Sequence, residues 1–523
     1  MKEMTVSEIA DAVGGQLQGA NKGSLVAGPA VIDSRQVTPG TLFVAFAGEH
    51  VDGADFAPAA AQAGAAAVLA DRPIPNLSVP LIIVDDVQTA LGDLARHSLA
   101  GVRQVNPDLR ILAVTGSQGK TTTKDILSQL VSPGADGYGG TTIAPPGSFN
   151  NEIGLPLTVL KISPDTKYAV LEMGADHPGN IADLTNIAPP NVGGVLTVGT
   201  AHLETFGSRD GIAKAKSEMI DGVVAGGAAI LNLDDSRVAA MQDKAAGRGL
   251  NTVLFGRSEG ADVQANDVVL DPLGRAGFTL RVKGSALEAS ENANDLQYPV
   301  QLQIPGEHHV SNALAAASGA ILVGIPPQAV AQRLSEVKIL SPHRMAFTTR
   351  PDGIMVIDDA YNANPESMSA ALRTLAKVAA SPGHGRSVAI IGEMRELGET
   401  GGDAHGDMGQ LAADLGLDQL YVVGAGARAA FDHAQQAAQP AGAWAGQASY
   451  FASLDDLRAG LPGLLQPGDV VLVKASNGSK LWQLGDELAR GDYSPVASVN
   501  AVEASAASAA SAATSATEKA MAS

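Results

Sequence analysis

Short apolar runs that alternate with helix-compatible stretches are the feature that most limits how this chain can fold. The runs include "RILAVT", "YAVLE", "AAILN" and "VVLVK", and each is followed by turn residues and then by a helical pattern. Strands that are apolar on both faces are typical of parallel sheets, because helices cover such sheets on both sides. The sequence therefore predicts an α/β protein built from parallel β–α–β units.

Three such series of runs follow one another along the 523 residues. A chain of this length exceeds what one hydrophobic core ordinarily accommodates, so several domains are expected. We predict a small N-terminal α/β domain at 1–106, a central domain with a mostly parallel sheet at 107–338 and a C-terminal Rossmann-like domain at 339–492.

Two stretches depart from the alternating pattern. Residues 263–303 are more polar and alternate in hydropathy, which predicts a small hairpin excursion. Residues 493–523 are rich in alanine and serine and lack large apolar side chains. Such a composition cannot build a core, so we predict a disordered tail, with a marginal helix as the alternative.

The composition excludes several classes of function. The chain has 35 basic and 55 acidic residues, a formal net charge of −20, and it has no cysteine. Such a surface repels phosphate backbones, so nucleic acid is not an expected partner, and thiol nucleophiles and disulfides are excluded. No apolar run reaches the roughly 18 residues needed to span a bilayer, and the N-terminus lacks the apolar core of a signal peptide. We expect a cytoplasmic protein without membrane insertion, and a monomer.

The stretch "AVTGSQGKTTTKD" predicts a phosphate-binding loop between a strand and a helix. It ends as the general G-x-x-x-x-G-K-[ST] pattern does, although Val114 stands where that pattern has its first glycine. Backbone N–H groups beside Gly119 and the start of the helix can bind phosphate oxygens, and Lys120 can neutralise a phosphate that is being transferred. Thr121 can offer its hydroxyl to Mg²⁺. The alternative is a glycine-rich turn of an ordinary β–α unit; the context favours ATP binding.

Two further side chains follow neighbouring strands of the predicted central sheet. Glu172 ends the run "YAVLE", and His202 lies just beyond "VGGVLTVG". Open α/β sheets bind ligands at the carboxyl ends of their strands, so both side chains can converge with Thr121 on a metal ion. Each residue alone also fits a plainer interpretation, a solvated acid for Glu172 and an ordinary loop histidine for His202.

Two asparagine-containing motifs have a structural and a functional interpretation that the residues alone leave open. Asn150 and Asn151 in "NNEIGLPL" suit a turn or a helix cap as well as a binding site. In "GEHHVSNALAAAS", His309 and Asn312 lie one turn apart on a predicted helix next to small alanines. A flat ring can pack there while Asn312 contacts its edge, although a capped alanine helix explains the same pattern.

These motifs together resemble those of the Mur ligases, ATP-dependent enzymes that build the peptide of the cell-wall precursor. The resemblance rests on their order and spacing and extends from about residue 4 to residue 490; the motifs are "TGSQGKTTT", "NNEIGLP", "LEMG", His202, "HVSNALAA", "SPHRM" and "DDAYNANP". The family's own glycine loop has no glycine at the position of Val114. The resemblance implies a uridine-nucleotide domain, a central P-loop ATPase domain and a C-terminal ligase domain.

The family's functional positions carry over to residues of this chain. The resemblance implies that the ATP phosphates lie against Gly116, Ser117, Gly119, Lys120, Thr121 and Thr122. It implies that Asn312 contacts the adenine, and that Arg344 and Asp359 reach the nucleotide from the third domain. The implied magnesium ligands are Thr121, Glu172, His202 and Lys216, and the implied catalytic residues are Lys120, Glu172, His202 and Lys216. Substrate contacts are implied for Ser34, Arg35, Asn150, Asn151 and Asn362.

Some of these implied roles have an explicit alternative. Lys216 matches a lysine that becomes carbamylated in several Mur ligases, whereas its spacing with Lys214 and Glu218 also fits an ordinary surface lysine. Ser34 and Arg35 fit a turn with a solvent-facing arginine equally well. The motif "VLVKASNGSKLW" has Ala475 and Asn477 where the family has glycine and arginine. That departure weakens the assignment of Lys474 and Ser476 to a dipeptide site.

The resemblance implies one reaction. ATP and Mg²⁺ would drive the joining of D-alanyl-D-alanine to a UDP-N-acetylmuramoyl-tripeptide through an acyl phosphate, giving the pentapeptide precursor of peptidoglycan. "YNANP" and "IGEMRELGE" favour this step over its siblings. The alternatives are another Mur-type or folylpolyglutamate-type amide ligase, or a non-catalytic ATP-binding regulator. The N-terminal "DSRQVTPGTLFVAF" argues against the folate enzyme, which begins at its P-loop domain.

Overall fold

A computed structural model describes residues 2–19, 23–48, 51–200, 203–284, 294–438 and 444–493. The chain divides into two compact units. The first comprises residues up to Pro342 together with Glu396–Gly398, and the second begins at His343. The predicted disordered tail lies outside the described residues, apart from its first residue.

The N-terminal part of the first unit contains a small mixed sheet. The elements of this N-terminal part are β1 (Met4–Thr5), α1 (Val6–Ala12), β2 (Gln16–Gln18), β3 (Leu25–Val26), β4 (Ala30–Val31), β5 (Leu42–Val44), α2 (Ala57–Gln62), β6 (Ala67–Ala70), β7 (Leu81–Ile83) and α3 (Val87–Val105). Strands β1 and β3 pair antiparallel outside the mixed sheet. Among the described strands the sheet order is β2-β7-β6-β5-β4, with β2 antiparallel to its neighbour and the other pairs parallel. The amphipathic helix α3 packs its apolar face into the same core as β5–β7.

The rest of the first unit is built on one large sheet. Its elements are β8 (Arg110–Thr115), α4 (Lys120–Val131), β9 (Thr142–Ile143), α5 (Gly154–Val159), β10 (Tyr168–Glu172), α6 (Asn180–Ile187), β11 (Val192–Val195), α7 (Leu203–Phe206), α8 (Arg209–Lys216), α9 (Glu218–Gly222), β12 (Ala228–Asn232), α10 (Ser236–Ala239), α11 (Gln242–Gly247), β13 (Asn251–Gly256), β14 (Val263–Leu270), β15 (Arg275–Val282), β16 (Leu296–Pro305), α12 (His309–Leu322) and α13 (Pro327–Leu334).

The order of these strands places a ligand-binding edge beside β8. Over the described residues the order is β16-β15-β14-β13-β12-β11-β8-β10-β9. All neighbouring strands from β14 across the sheet to β9, including β8, run parallel. Strand β8 therefore lies between β10 and β11, so the chain leaves it toward one side and later returns on the other. Open α/β sheets bind ligands at such a switch point, at the carboxyl ends of the strands.

The polar stretch after residue 263 forms part of this large sheet. The predicted hairpin is present as antiparallel pairing of β15 with β14 and with β16, and it extends the large sheet because β14 pairs parallel with β13. The alternation reflects strands with one face on the core, because β15 has alternately buried and half-buried residues along its length. Residues 285–293, within the same stretch, lie outside the described part of the chain.

The second unit is a further, mostly parallel sheet with helices. Its elements are β17 (Ala346–Thr349), β18 (Met355–Asp358), α14 (Pro365–Ala379), β19 (Ser387–Ile391), α15 (Gly401–Asp414), β20 (Gln419–Val423), α16 (Arg428–Ala437), β21 (Gln447–Phe451), α17 (Leu454–Leu464), β22 (Val470–Lys474) and α18 (Trp482–Arg490). In the described residues the order is β17-β18-β22-β19-β20-β21, and β17 alone of these is antiparallel. The predicted mixed α/β class with mostly parallel sheets is confirmed.

Local sequence explains where the site-bearing helices begin. Helix α4 follows Gly119, whose φ of 80° is a left-handed conformation that glycine adopts without strain. Helix α14 has Pro365 at its first position and Asn364 as a cap that bonds to Ser367 N. Helix α12 is alanine-rich and buried along most of its length, because it packs against α4. Across the described helices, none combines the length and apolar character that crossing a bilayer requires.

Candidate active site

The glycine loop connects β8 to α4 and is fixed by the segment that follows β11. Ser117 N donates to Thr197 O at 3.0 Å, and Gly199 N donates to Ser117 Oγ at 2.8 Å. Lys120 Nζ donates to Gly116 O at 2.8 Å, so the ammonium group lies over the loop. This strand–loop–helix arrangement places backbone N–H groups, a helix start and one cation together, which is the chemistry of a phosphate site.

Helix α12 lies directly against this loop. A methyl group added at Gly119 would overlap the amide oxygen of Asn312, so the glycine is required by both its backbone angle and this approach. Asn312 Nδ2 donates to His309 Nδ1 at 3.2 Å, which fixes the orientation of the amide. Burial lowers the pKa of His309 well below its ordinary value, with a further contribution from His308, so the ring is neutral.

A chain of hydroxyl groups connects the start of α4 to the end of β10. Thr121 Oγ1 lies 3.2 Å from Ser148 Oγ, and the Ser148 hydroxyl donates to Glu172 Oε1. Asn150 Nδ2 also donates to Ser148 Oγ, at 3.1 Å. Glu172 is 0% exposed, and its Oε2 has no hydrogen-bond partner among the described atoms. The solvated-acid interpretation of Glu172 is therefore wrong.

The tandem asparagines have different environments. Asn150 contacts the Ser148 hydroxyl, and its backbone oxygen accepts from Gly174 N at 2.7 Å. Asn151 Oδ1 accepts from Gly154 N at 2.9 Å, at the first residue of α5. Asn151 thus stabilises the start of that helix, whereas Asn150 belongs to the site next to Glu172.

Lys216 ends α8 and is 4% exposed, so the surface-lysine alternative is wrong. Burial lowers the pKa of its ammonium group from 10.5 to about 7, and the positive charge of Lys120 contributes in the same direction. With a pKa of about 7, a large fraction of the amine is unprotonated at neutral pH, and this is the form that reacts with CO₂. The other member of the predicted metal set, His202, lies outside the described residues.

A buried ion pair that the sequence did not reveal supports the same edge of the sheet. Lys124 Nζ lies 2.6 Å from Asp125 Oδ1, and both side chains are almost completely buried. Lys124 also donates to Pro145 O at 2.8 Å and to Gly147 O at 3.1 Å, just before Ser148. The available signal was the helical spacing that places Lys124 one turn after Thr121; Ser148 gave no signal beyond standing before the asparagines.

The remaining predicted phosphate and uridine residues lie in two further places. Thr122 is in the first turn of α4 and is 8% exposed. Ser34 and Arg35 lie in a short 3₁₀ turn capped by Asp33, and Arg35 pairs with that carboxylate while its side chain stays 87% exposed. In this structure Arg35 is therefore a solvent-facing arginine in a turn, as the alternative interpretation states.

In the second unit, the predicted residues gather at the carboxyl ends of β18 and β22. Lys474 Nζ donates to Asp359 Oδ2 at 2.6 Å and to Asn362 O at 2.9 Å, while Asp359 Oδ1 accepts from Met345 N at 3.1 Å. The Arg344 guanidinium lies over the Tyr361 ring, 4.1 Å from its centroid. Lys474 is 1% exposed, so it supports the "DDAYNANP" loop from within.

The other residue left in doubt, Ser476, also connects loops of the second unit. Its Oγ accepts from Arg395 N at 3.0 Å, and its backbone N donates to Glu393 O at 2.9 Å. The "IGEMRELGE" and "VLVKASNGSKLW" motifs thus meet at Ser476. Its hydroxyl serves loop packing here.

The donor set next to the glycine loop fits a magnesium ion. Mg²⁺ prefers carboxylate and hydroxyl oxygens, and it commonly binds one or two carboxylates together with substrate phosphates. Glu172 Oε2 is a buried carboxylate oxygen without a hydrogen-bond partner among the described atoms, beside Ser148 and Thr121. A buried acid in this state is costly unless a cation lies against it.

A phosphate loop and a buried acid at the switch point of a parallel sheet define a nucleotide-dependent α/β enzyme. Family models match three parts of the chain: the Mur ligase family catalytic domain at 30–99, the Mur ligase middle domain at 114–320, and the Mur ligase glutamate ligase domain at 343–477. The chain belongs to the Mur ligase family, and it is an ATP-dependent ligase.

Individual relatives match nearly the whole chain. The UDP-N-acetylmuramoyl-tripeptide–D-alanyl-D-alanine ligase of Mycobacterium tuberculosis strain H37Rv is 42% identical over 94% of this chain and 99% of its own length. A crystal structure of MurF from Acinetobacter baumannii is 30% identical, with a TM-score of 0.77 over 94% of this chain and 99% of that one. MurF from Thermotoga maritima in complex with ADP is 28% identical, with a TM-score of 0.70 over 89% and 98%.

Proposed function

We propose that this chain joins D-alanyl-D-alanine to UDP-N-acetylmuramoyl-tripeptide at the expense of ATP, producing the UDP-linked pentapeptide used in peptidoglycan synthesis. The observation that carries the proposal is the similarity along nearly the entire chain to a ligase of that name. The glycine loop with Lys120 and the buried Glu172 supply the ATP-dependent part of the reaction.

The reaction has two balanced steps. A carboxylate oxygen of the tripeptide attacks the γ-phosphorus of ATP, the bond to the bridging oxygen breaks, and an acyl phosphate and ADP form. The amine of D-alanyl-D-alanine then attacks the acyl carbon, inorganic phosphate leaves, and a base accepts the proton of the amine. The first step brings two anions together, so a cation at the phosphate is required. Lys120 supplies such a charge at the glycine loop.

Thr121 and Glu172 are the described residues that would hold Mg²⁺, with His202 and a carbamylated Lys216 as further proposed ligands. The ion, when bound, neutralises charge on the phosphates that it contacts. Carbamylation joins the Lys216 amine to CO₂ with loss of a proton, which turns a cation into an anionic oxygen ligand. The burial of Lys216 and its lowered pKa support this proposal.

Further contacts remain proposals by family analogy. Asn312 lies against Gly119, which supports its assignment to the adenine. Assignments also remain for Gly116, Ser117 and Thr122 at the phosphates, for Arg344 and Asp359 at the nucleotide, and for Ser34, Arg35, Asn150, Asn151 and Asn362 at the other substrates. We further propose that the protein works as a monomer in the cytoplasm, where nucleotide-linked precursors and ATP are present.

Phosphate release from ATP tests the proposal. The purified chain is incubated with the UDP-linked tripeptide and Mg²⁺, and either D-alanyl-D-alanine or single amino acids are added. We expect phosphate and the pentapeptide product with the dipeptide alone. Turnover with a single amino acid would assign the enzyme to a sibling step, and ATP binding without turnover for any pair would favour the non-catalytic regulator.

A further inference from the structure

Ser148 occupies the position between the two described oxygen ligands proposed for magnesium. Its hydroxyl contacts Thr121 Oγ1 at 3.2 Å, Asn150 Nδ2 at 3.1 Å and Glu172 Oε1. The family-based assignment of site residues does not include this serine. Its hydroxyl group nevertheless lies at the centre of three polar groups of the site.

The direction of each hydrogen bond follows from the number of hydrogens. The Ser148 hydroxyl donates its single hydrogen to Glu172 Oε1. The contact between Ser148 and Thr121 then needs the hydrogen of Thr121, and the Asn150 amide also donates. Ser148 thus makes one donated and two accepted bonds, which is the full capacity of a hydroxyl group.

This pattern orients both groups toward a cation. The Thr121 hydrogen points to Ser148, so the threonine oxygen turns its electron pairs, not its proton, toward any other group. Glu172 Oε1 is held by Ser148, and Oε2 is the carboxylate oxygen without a hydrogen-bond partner among the described atoms. Hydrogen bonds of this kind, made by groups just outside a metal's ligands, fix ligand orientation in metal sites.

The loop that carries Ser148 is held by hydrogen bonds from the Lys124 side chain. An ammonium group has three hydrogens, and Lys124 Nζ lies within hydrogen-bond distance of Pro145 O, Gly147 O and Asp125 Oδ1. Asp125 Oδ2 accepts in turn from Ser341 N at 2.9 Å. Thr121 and Lys124 both belong to α4. The helix that begins at the phosphate loop therefore also fixes the position of Ser148 relative to Thr121.

We infer that Ser148 is a positioning residue: it orients Glu172 and Thr121 for the magnesium ion that accompanies ATP. The inference rests on the proposed function in so far as that function assigns magnesium to this place. Ser148 uses its full hydrogen-bonding capacity on Thr121, Asn150 and Glu172. It therefore contacts the proposed metal ligands and not the ion itself. Lys124 is the support that keeps the serine between them.

Divalent-metal affinity tests this role apart from turnover. Mn²⁺ is titrated into the full chain with saturating ADP, and bound ion is measured by electron paramagnetic resonance. Ser148→Ala is expected to weaken Mn²⁺ binding about 10-fold to 100-fold, the range for loss of such an orienting partner. Ser148→Thr keeps the hydroxyl and is expected to restore most of the affinity. Ser163→Ala, which removes a hydroxyl from a turn elsewhere in the same unit, serves as the matched control.

Binding of ADP without metal separates positioning from general damage. We expect Ser148→Ala to bind metal-free ADP nearly as the unsubstituted chain does, because the Ser148 hydroxyl contacts the Thr121, Asn150 and Glu172 side chains and the substitution leaves Lys120 and the glycines of the loop in place. Unchanged Mn²⁺ affinity in Ser148→Ala, or an equal loss with and without metal, would overturn the inference. Loss of Mn²⁺ affinity in a chain that fails to use D-alanyl-D-alanine would support the role of Ser148 and overturn the proposed function instead.

Discussion

The two units each place an acidic residue at the carboxyl end of a parallel strand, but the two acids have different surroundings. In the first unit, Glu172 ends β10 with one oxygen on Ser148 and the other without a hydrogen-bond partner among the described atoms. In the second, Asp359 follows β18 with one oxygen on Lys474 and the other on Met345 N. Of these two acids, Asp359 alone forms an ion pair with a buried lysine among the described contacts.

The difference distinguishes an acid kept for a ligand from an acid that supports a loop. In the first unit the buried Lys124 forms an ion pair with Asp125, whereas in the second unit the buried Lys474 forms one with Asp359. A buried acid without full hydrogen bonding is costly in the free protein, and a bound cation removes that cost. Glu172 therefore carries the stronger structural argument for a metal-binding role.

The largest expected effect is on stability and concerns the second unit. Lys474→Met should lower the free energy of unfolding by about 3–5 kcal/mol, because it removes a buried cation and leaves the partly buried Asp359 carboxylate without its partner. Denaturant titration of the full chain, followed by a probe in the second unit, measures this. Lys377→Met, on the exposed face of α14, is the control. A loss no greater than that of the control would show that Lys474 does not hold the loop.

The next effect is on catalysis and concerns the first unit. Lys120→Ala should lower kcat by about 10²–10³-fold, because a charge that stabilises the transferred phosphate is lost. Its free energy of unfolding should change little, which separates it from Lys474→Met. Steady-state phosphate release measures kcat, with the exposed Lys161→Ala as the control. Near-normal kcat would remove Lys120 from the proposed chemistry.

Neutralising the two acids compares them directly. Glu172→Gln should reduce Mn²⁺ affinity at least about 10-fold. It should leave the free energy of unfolding within about 1 kcal/mol, since a neutral amide is cheaper to bury than a carboxylate without a second partner. Asp359→Asn should instead destabilise the chain, because Lys474 is left as an unpaired buried cation. Equal stability losses in the two variants would contradict the distinction drawn between them.

The last effect is a pH dependence that originates at Lys216. Its pKa is about 7 in the folded chain and 10.5 ordinarily, so between these values the unfolded state binds more protons. The free energy of unfolding should therefore rise with pH in this window, by at most about 1.4 kcal/mol per unit for one proton. Below pH 7 both states are protonated and the slope from this group disappears.

Lys216→Met removes this contribution and is the matched comparison. Denaturant titrations at pH 7.5 and 9, in buffer depleted of CO₂, should show a smaller rise for the variant than for the unsubstituted chain. Lys120 is the charged neighbour that lowers this pKa, so Lys120→Ala should raise the lower limit of the window and narrow it. Identical pH profiles for the chain and for Lys216→Met would contradict a buried, titrating lysine.

Much of the fold was predictable because it depends on local patterns. The apolar runs became β8, β10, β12 and β22, and "KTTTKDILSQLV" became α4, as their periodicity indicates. The strands β17 and β21 were missed, since they are half-exposed and lack a continuous apolar run. The antiparallel extension β14–β16 was underestimated, because alternation predicts strands without showing which sheet they join.

The candidate site divides in the same way. The sequence pointed to Lys120, Thr121 and Glu172 through a motif and a strand end, but Ser148, Lys124 and Asp125 emerged in the structure. Their roles depend on contacts between segments far apart in the chain, such as Asp125 with Ser341. No periodicity records such contacts.

The sequence by itself determined the α/β architecture, the position of the glycine loop and the family to which the chain belongs. Spacing along the chain and hydropathy carry that information, because strands, turns and helix starts are set by neighbouring residues. The tertiary structure decided which charges are buried and how they are partnered. In the sequence, Glu172, Lys216 and Lys474 each fit an exposed or a buried side chain. The structure distinguishes them, because desolvation and charge pairing depend on segments that are far apart in the chain.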